Sequence, residues 1–372
     1  MRIGSVKEIK AQEYRVGLPP AAVREAVAHG HEVLIEAGAG IGAGFEDAEY
    51  TDAGARLVDD PAEVFAEAEM VVKVKEPQPS ERAQLREGQV LFTYLHLAPD
   101  RPQTEDLIAS GVTAIAYETV TDRAGGLPLL APMSEVAGRL APQTGAWTLQ
   151  KANGGRGVLM GGVPGVRPAN VVIVGGGVVG TAAARVAVGM GANVTVLDRS
   201  VPRMSYLDDI FQGRLTTQFS SAQAIDALLP TADMVIGAVL IPGAAAPKLV
   251  SRAQLGRMQP GAVLVDVAID QGGCFETSRP TTHQDPIYEV DGIMHYCVAN
   301  MPGAVPRTAT QALSNATLPF VLALANKGWR QACEDDPHLL AGLNVHAGAL
   351  TSYPVGRALE IDVVSPTLAL KR

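Results

Sequence analysis

Short apolar runs alternate with amphipathic stretches from the first residues onward. HEVLIEA (31–37), MVVKVKE (70–76), VLFTYLH (90–96) and VTAIAYE (112–118) read as strands, and PPAAVREAVAHG reads as a helix opened by proline and stopped at Gly30. That alternation predicts a doubly wound parallel sheet. The pattern resumes after a glycine-rich linker, KANGGRGVLMGGVPGVRP (151–168), with strands over 171–174, 194–197, 232–240, 262–270 and 293–300. Beyond Pro306 apolar residues fall at helical spacing despite Pro319, and this tail is expected to rejoin the first domain. The expected fold is α/β: two Rossmann-like doubly wound domains, a discontinuous one over 1–128 plus 307–372 and a second over 129–306.

Within the second domain, VVIVGGGVVG places Gly175, Gly177 and Gly180 directly after a buried strand and at the start of a helix. Glycines so spaced give a tight turn, close backbone approach to a pyrophosphate and close helix–strand packing, while the helix N-terminus offers N–H groups to phosphate. A second strand ends at Asp198, 18 residues past Gly180. Strand, glycines, helix, strand and acid in that order predict a dinucleotide site; a glycine-rich packing turn is the alternative. Asp198 favours NAD over NADP, because a carboxylate accepts from the ribose 2′-OH and repels a 2′-phosphate. Arg199 and Arg203 blur that preference.

A chain of 372 residues divides most naturally into two domains. Its net charge of −9 and lack of a Lys/Arg cluster argue against a nucleic-acid partner. The N-terminus MRIGSVKEIK is too charged for a secretory segment, and no run reaches the roughly 18 apolar residues of a membrane span. A soluble, cytoplasmic protein is expected. Cys274, Cys297 and Cys333 are too scattered for a disulfide framework, and no C-x-x-C or H-E-x-x-H spacing marks a metal. They are expected to be reduced, partly buried thiols.

Residues able to do chemistry beside a cofactor should lie at carboxyl ends of strands. Lys73 and Lys75 alternate with valines, which puts both on one face of a strand over 70–75, where a lysine is costly unless it meets an anion. Phe92, Tyr94 and His96 share a face by the same alternation, and a histidine titrating near neutrality suits proton transfer. Asp270 closes the run AVLVDVAID on the face of Asp266 and Ala268, either as an acid/base or as a turn former. Arg15, in EYRVGLPP, carries a planar fork that fits a carboxylate.

Taken together, KEIKAQEYRVGLPPAAV, VKVKEP, LFTYLHLA, AYETV, LPLLAPMSEVAGRLAPQTGAWTL, the glycine turn, VDVAIDQGGCFETSRPTTHQDP and VANMPGAVPRTAT resemble the alanine dehydrogenase family across essentially the whole chain. Val6 departs from the proline that many relatives carry before KEIK. The resemblance implies reversible, NAD-dependent oxidative deamination of L-alanine to pyruvate and ammonium, without metal. It implies His96 and Asp270 as acid/base groups, Arg15 and Lys75 on the substrate, and Tyr94, Glu118 and Asn300 lining the same pocket. Ser134, Val178, Val179, Asp198, Arg203, Ser220, Val239, Leu240, Val267, Ala268, Ile269, Asp270, Arg279, Val298, Ala299, Asn300 and Met301 would surround NAD with the three glycines. A homo-oligomer, a hexamer, is implied too. The same signatures resemble the NAD-binding subunit of proton-translocating transhydrogenase, although that reading expects lost substrate chemistry. A catalytically silent NAD-sensing module and a dehydrogenase for a larger amino acid are further alternatives.

Overall fold

The computed structural model describes residues 1–239 and 246–371. Two compact units divide the chain: Met1–Met133 with Val305–Arg372, and Ser134–Ala304. One boundary falls inside the helix Ala131–Thr148 and the other just before the helix Pro306–Lys327, which continues through Pro319.

In the first unit the strands are β1 (Arg2–Ser5), β2 (Glu32–Glu36), β3 (Arg56–Val58), β4 (Met70–Val72), β5 (Val90–Thr93) and β6 (Thr113–Ala116). The second unit contributes β7 (Asn170–Val174), β8 (Asn193–Asp198), β9 (Thr216–Phe219), β10 (Met234–Gly237), β11 (Val263–Asp266), β12 (Ile287–Val290) and β13 (Ile293–Tyr296). The first unit then regains β14 (Leu343–His346) and β15 (Ala349–Leu350). The sheets run β15-β14-β6-β5-β4-β1-β2-β3 and β12-β13-β11-β10-β7-β8-β9. Among the described strands the antiparallel pairs are β12 with β13, β14 with β6 and β14 with β15; the other pairs are parallel.

Each sheet therefore contains the doubly wound order in which the first strand lies at the reversal, between β2 and β4 in one and β8 and β10 in the other. Crossover helices cover both faces of such sheets, so central strands carry unbroken apolar runs. Accordingly β4, β5 and β6 are buried at every position. Val71, Leu91 and Ala114 share one core with Val64, Phe65 and Val345, and Ile173, Val196 and Ile236 with Ala183, Ala184 and Leu207 in the second unit. All three cysteines are buried and free; burial pushes the Cys274 and Cys333 thiols up to about 12 and Cys297 to about 11.

The strands stop earlier than the apolar runs predict. β4 ends at Val72, so Lys73 and Lys75 do not share a strand face; Lys73 is fully buried and Lys75 partly so. β5 ends at Thr93, leaving His96 in the irregular loop that follows, at φ 50°, rather than on a strand face with Phe92 and Tyr94. β11 ends at Asp266, and Asp270 sits in the 3₁₀ turn Ile269–Gln271, off the face of Asp266. β6, β10 and β13 likewise stop at Ala116, Gly237 and Tyr296. A common feature recurs at three of these ends. A carboxylate takes backbone N–H groups just past the strand end: Glu8 those of Val74 and Lys75, Glu118 those of Leu95 and His96, and Asp266 that of Ala268.

Candidate active site

On the first unit, the loop after β1 carries Arg15. Its side chain is buried and makes a two-pronged ion pair with Glu13, Nε to Oε1 at 2.7 Å and Nη2 to Oε2 at 2.6 Å. Nη1 lies 3.0 Å from the Met133 sulfur. Burial alone would lower the Arg15 pKa, but the hydrogen-bonded Glu13 carboxylate outweighs it and holds the guanidinium above its ordinary value. Arg15 is thus a permanently charged group fixed by a partner, not a surface side chain.

After β4, Lys73 Nζ donates to Glu8 Oε2 at 3.0 Å and Glu81 Oε1 at 2.7 Å, all three side chains being buried. Burial raises the Glu8 pKa against the pull of Lys73. The second oxygen of Glu8 accepts from Val74 N–H at 2.6 Å and Lys75 N–H at 3.3 Å, and the Lys75 carbonyl accepts from Thr93 Oγ1 at 2.9 Å. Lys73 therefore builds the platform from which Lys75 projects. Lys73→Met should destabilise the protein by about 3–5 kcal/mol in urea unfolding, because two buried carboxylates lose their cation. A change under about 1 kcal/mol would show that the cluster has little structural weight.

After β5, Tyr94 is buried, its hydroxyl donating to the Leu129 carbonyl at 2.5 Å, and burial raises its pKa strongly. The His96 ring lies 5.7 Å from the Tyr94 ring and its side chain is 44 % exposed. Glu118 Oε1 accepts from His96 N–H at 2.6 Å, and both its oxygens accept from Leu95 N–H at 3.2 Å. A non-glycine residue at positive φ is strained, and such strain persists only where surroundings over-determine it. Glu118 is what holds it here. The first unit thus brings Arg15, Lys75, Tyr94, His96 and Glu118 onto four loops at the carboxyl ends of β1, β4, β5 and β6.

In the second unit the loop after β7 adopts the glycine turn. Gly175 lies at φ 104°, and a Cβ on Gly180 would stand 1.8 Å from the Gly175 carbonyl oxygen. A Cβ on Gly177 would meet nothing within 4 Å. No side chain caps the helix Val178–Gly189, which Gly177 precedes. Open space against an uncapped helix end is what a pyrophosphate needs, so these residues fit a dinucleotide. Asp198, at the tip of β8, accepts from Gly176 N–H and Ser200 N–H, each at 2.7 Å. Arg203 donates to the carbonyls of Gly176 and Gly177 and to Thr181 Oγ1, and so braces the turn.

The remaining predicted residues lie on loops of this unit. Ser220 follows β9 and donates its N–H to the Asp198 carbonyl at 2.8 Å; Val239 follows β10, and Leu240 lies outside the described residues. Val267, Ala268, Ile269 and an exposed Asp270 follow β11 in a loop that a fully buried Asp266 gathers. Arg279 stacks over Tyr288 at 4.0 Å. Val298, Ala299, Asn300 and Met301 follow β13, with Asn300 at φ 62°. Ser134, half-buried, and Val178 and Val179 lie on helices. Glu8, Glu13, Glu76, Glu81 and Asp266 are absent from the sequence-derived set. A buried lysine demanding an anion was the signal for Glu8 and Glu81, though spacing alone could not name them. Among the described residues no group of three His, Cys, Asp or Glu side chains could hold a metal ion, and no helix is long and apolar enough to cross a membrane.

Fold and site define a two-unit α/β protein with a dinucleotide-type turn in one unit and a cluster of strand-end charges in the other. The alanine dehydrogenase/PNT family models match its N-terminal domain over residues 4–137 and its C-terminal domain over 141–353, and the chain belongs to that family. It is 61% identical to an alanine dehydrogenase of Halomonas elongata over 98% of each chain, and 55% identical to one of Mycobacterium tuberculosis over the whole of both. A solved L-alanine dehydrogenase superposes with a TM-score of 0.94 at 54% identity, covering 97% of this chain and 99% of that one. A transhydrogenase of Sinorhizobium meliloti superposes at 0.81 with 25% identity, covering 95% and 99%.

Proposed function

We propose that the protein catalyses the reversible, NAD-dependent oxidative deamination of L-alanine to pyruvate and ammonium. Bound NAD would supply the hydride acceptor. The Arg15 guanidinium holds the substrate carboxylate, its orientation set by Glu13. Lys75 presents an ammonium to the oxygen that forms at C2. Loss of hydride leaves an imine; His96 and Asp270 deliver water to it and move protons between water, amine and solvent until the carbinolamine collapses. Tyr94, Glu118 and Asn300 complete the surroundings of the substrate.

The observation that carries this reading is the placement of Arg15, Lys75, Tyr94, His96 and Glu118 on the loops that follow the neighbouring strands β1, β4, β5 and β6, in a chain more than half identical to alanine dehydrogenases over its full length. A transhydrogenase subunit or a silent sensor has no need of that constellation. Purified protein with NAD should reduce it in the presence of alanine, and far less with serine, 2-aminobutyrate, lysine or buffer alone. Equal rates with lysine, or none with alanine, would defeat the proposal. Asp198→Ala should narrow the preference for NAD over NADP, since the carboxylate no longer repels a 2′-phosphate; an unchanged ratio of the two affinities would move that role elsewhere. The reading includes a cytoplasmic homohexamer, which sedimentation of the purified protein tests for assembly.

A further inference from the structure

Among the described residues, the charged side chain within ion-pair reach of the His96 imidazole is Glu76, whose Oε2 stands 3.9 Å from Nδ1. The two oxygens of Glu76 differ. Oε1 is held by Lys10 Nζ, whereas Oε2 is buried and has no hydrogen-bond partner. A buried carboxylate oxygen without a donor is unfavourable unless some state of the protein supplies one. Facing it, at 3.9 Å, is the Nδ1 of the imidazole, an atom able to donate.

We propose that Glu76 is a positioning residue for His96: it accepts a hydrogen bond from Nδ1–H, presents Nε2 to the substrate, and stabilises the imidazolium formed when Nε2 takes up a proton. This rests on the reading of His96 as the acid/base group. In the step itself, Nε2 gains the proton lost by the reacting water or amine, the ring becomes cationic, and Glu76 stays ionised throughout. Burial alone would raise the Glu76 pKa; the Lys10 hydrogen bond and the charges of Lys75 and Lys10 outweigh it and hold the carboxylate below its ordinary value. The other groups around the ring are accounted for. Tyr94 packs beside it, Glu118 takes its backbone N–H, and Lys10 and Lys75 flank Glu76 rather than the imidazole.

His96 thus has two separate supports, Glu118 for its backbone and Glu76 for its ring. An orienting carboxylate on a general base is a recurring arrangement because it fixes the tautomer as well as the direction of the ring.

The test is the pH profile of kcat/KM for alanine, which reports the ionisation of the free enzyme. Removing a facing negative charge lowers the affinity of the imidazole for a proton. Glu76→Gln should therefore shift the acidic limb downward by about one pH unit and slow turnover several-fold, with NAD affinity unchanged. An acidic limb that stays in place overturns the proposal, whether or not the rate falls, since a merely structural role slows the enzyme without moving it. His96→Ala separates this from the underlying reading: residual activity that keeps the limb removes His96 as its source, while a limb lost in His96→Ala but unmoved in Glu76→Gln removes Glu76 alone.

Discussion

His96→Ala should lower the rate at saturating alanine by about a hundredfold or more, the ordinary contribution of a positioned proton donor and acceptor. The substitution is unusually clean. The imidazole is 44 % exposed, so its loss empties little of the core. The backbone at φ 50° is held through N–H groups that alanine retains, accepted by Glu118. The glycine turn belongs to the other unit, so NAD affinity measured by titration calorimetry should barely move. Turnover near that of the unsubstituted enzyme would remove His96 from the mechanism.

Gly180→Ala should weaken NAD binding on the order of a hundredfold, the scale of overpacking against rigid backbone. The new Cβ would stand 1.8 Å from the Gly175 carbonyl oxygen and 2.9 Å from its carbon. Neither atom belongs to a flexible side chain, so the turn itself must open. Gly177→Ala makes the discriminating companion. Its backbone, at φ −64° and ψ −158°, suits any residue, and no atom lies within 4 Å of the added methyl. Stability should be unchanged and NAD binding alone should suffer, because the methyl occupies the space a pyrophosphate would fill. If both variants bind NAD normally, the turn serves packing and the cofactor lies elsewhere.

The α/β class, the order of elements and the glycine turn were legible because each rests on local pattern: buried parallel strands as unbroken apolar runs, helices opened by proline, glycines at fixed spacing. The ends of the strands were not. Val74, Tyr94 and Val267 look like strand residues, since they continue the apolar alternation past β4, β5 and β11. Past β4 and β5 the next N–H groups go to a carboxylate from a distant part of the chain, Glu8 or Glu118, and no short window of sequence contains both partners; past β11 the carboxylate is Asp266, the strand's own last residue. The same distance hid the role of Lys73. Its alternation with Lys75 placed the two together as equals, whereas one is an internal strut between Glu8 and Glu81 and the other stands on the backbone that the strut supports. Arg15 shows the converse case. Nothing nearby marks it as buried, although Glu13, only two residues before it, occupies one edge of its fork.

Both sheets contain the same central run, β5-β4-β1-β2-β3 in one and β11-β10-β7-β8-β9 in the other, so the segment leaving the first strand of each emerges at an equivalent address, the point where winding reverses. In one unit that address is filled by bare peptide amides at the mouth of a helix, in the other by an arginine on an extended loop. Peptide dipoles and a guanidinium are two ways of making the same electrostatic offer to an incoming anion, one sized for a diphosphate and one for a single carboxylate. On the proposed function, a common scaffold receives the coenzyme at one of these addresses and the metabolite at the other.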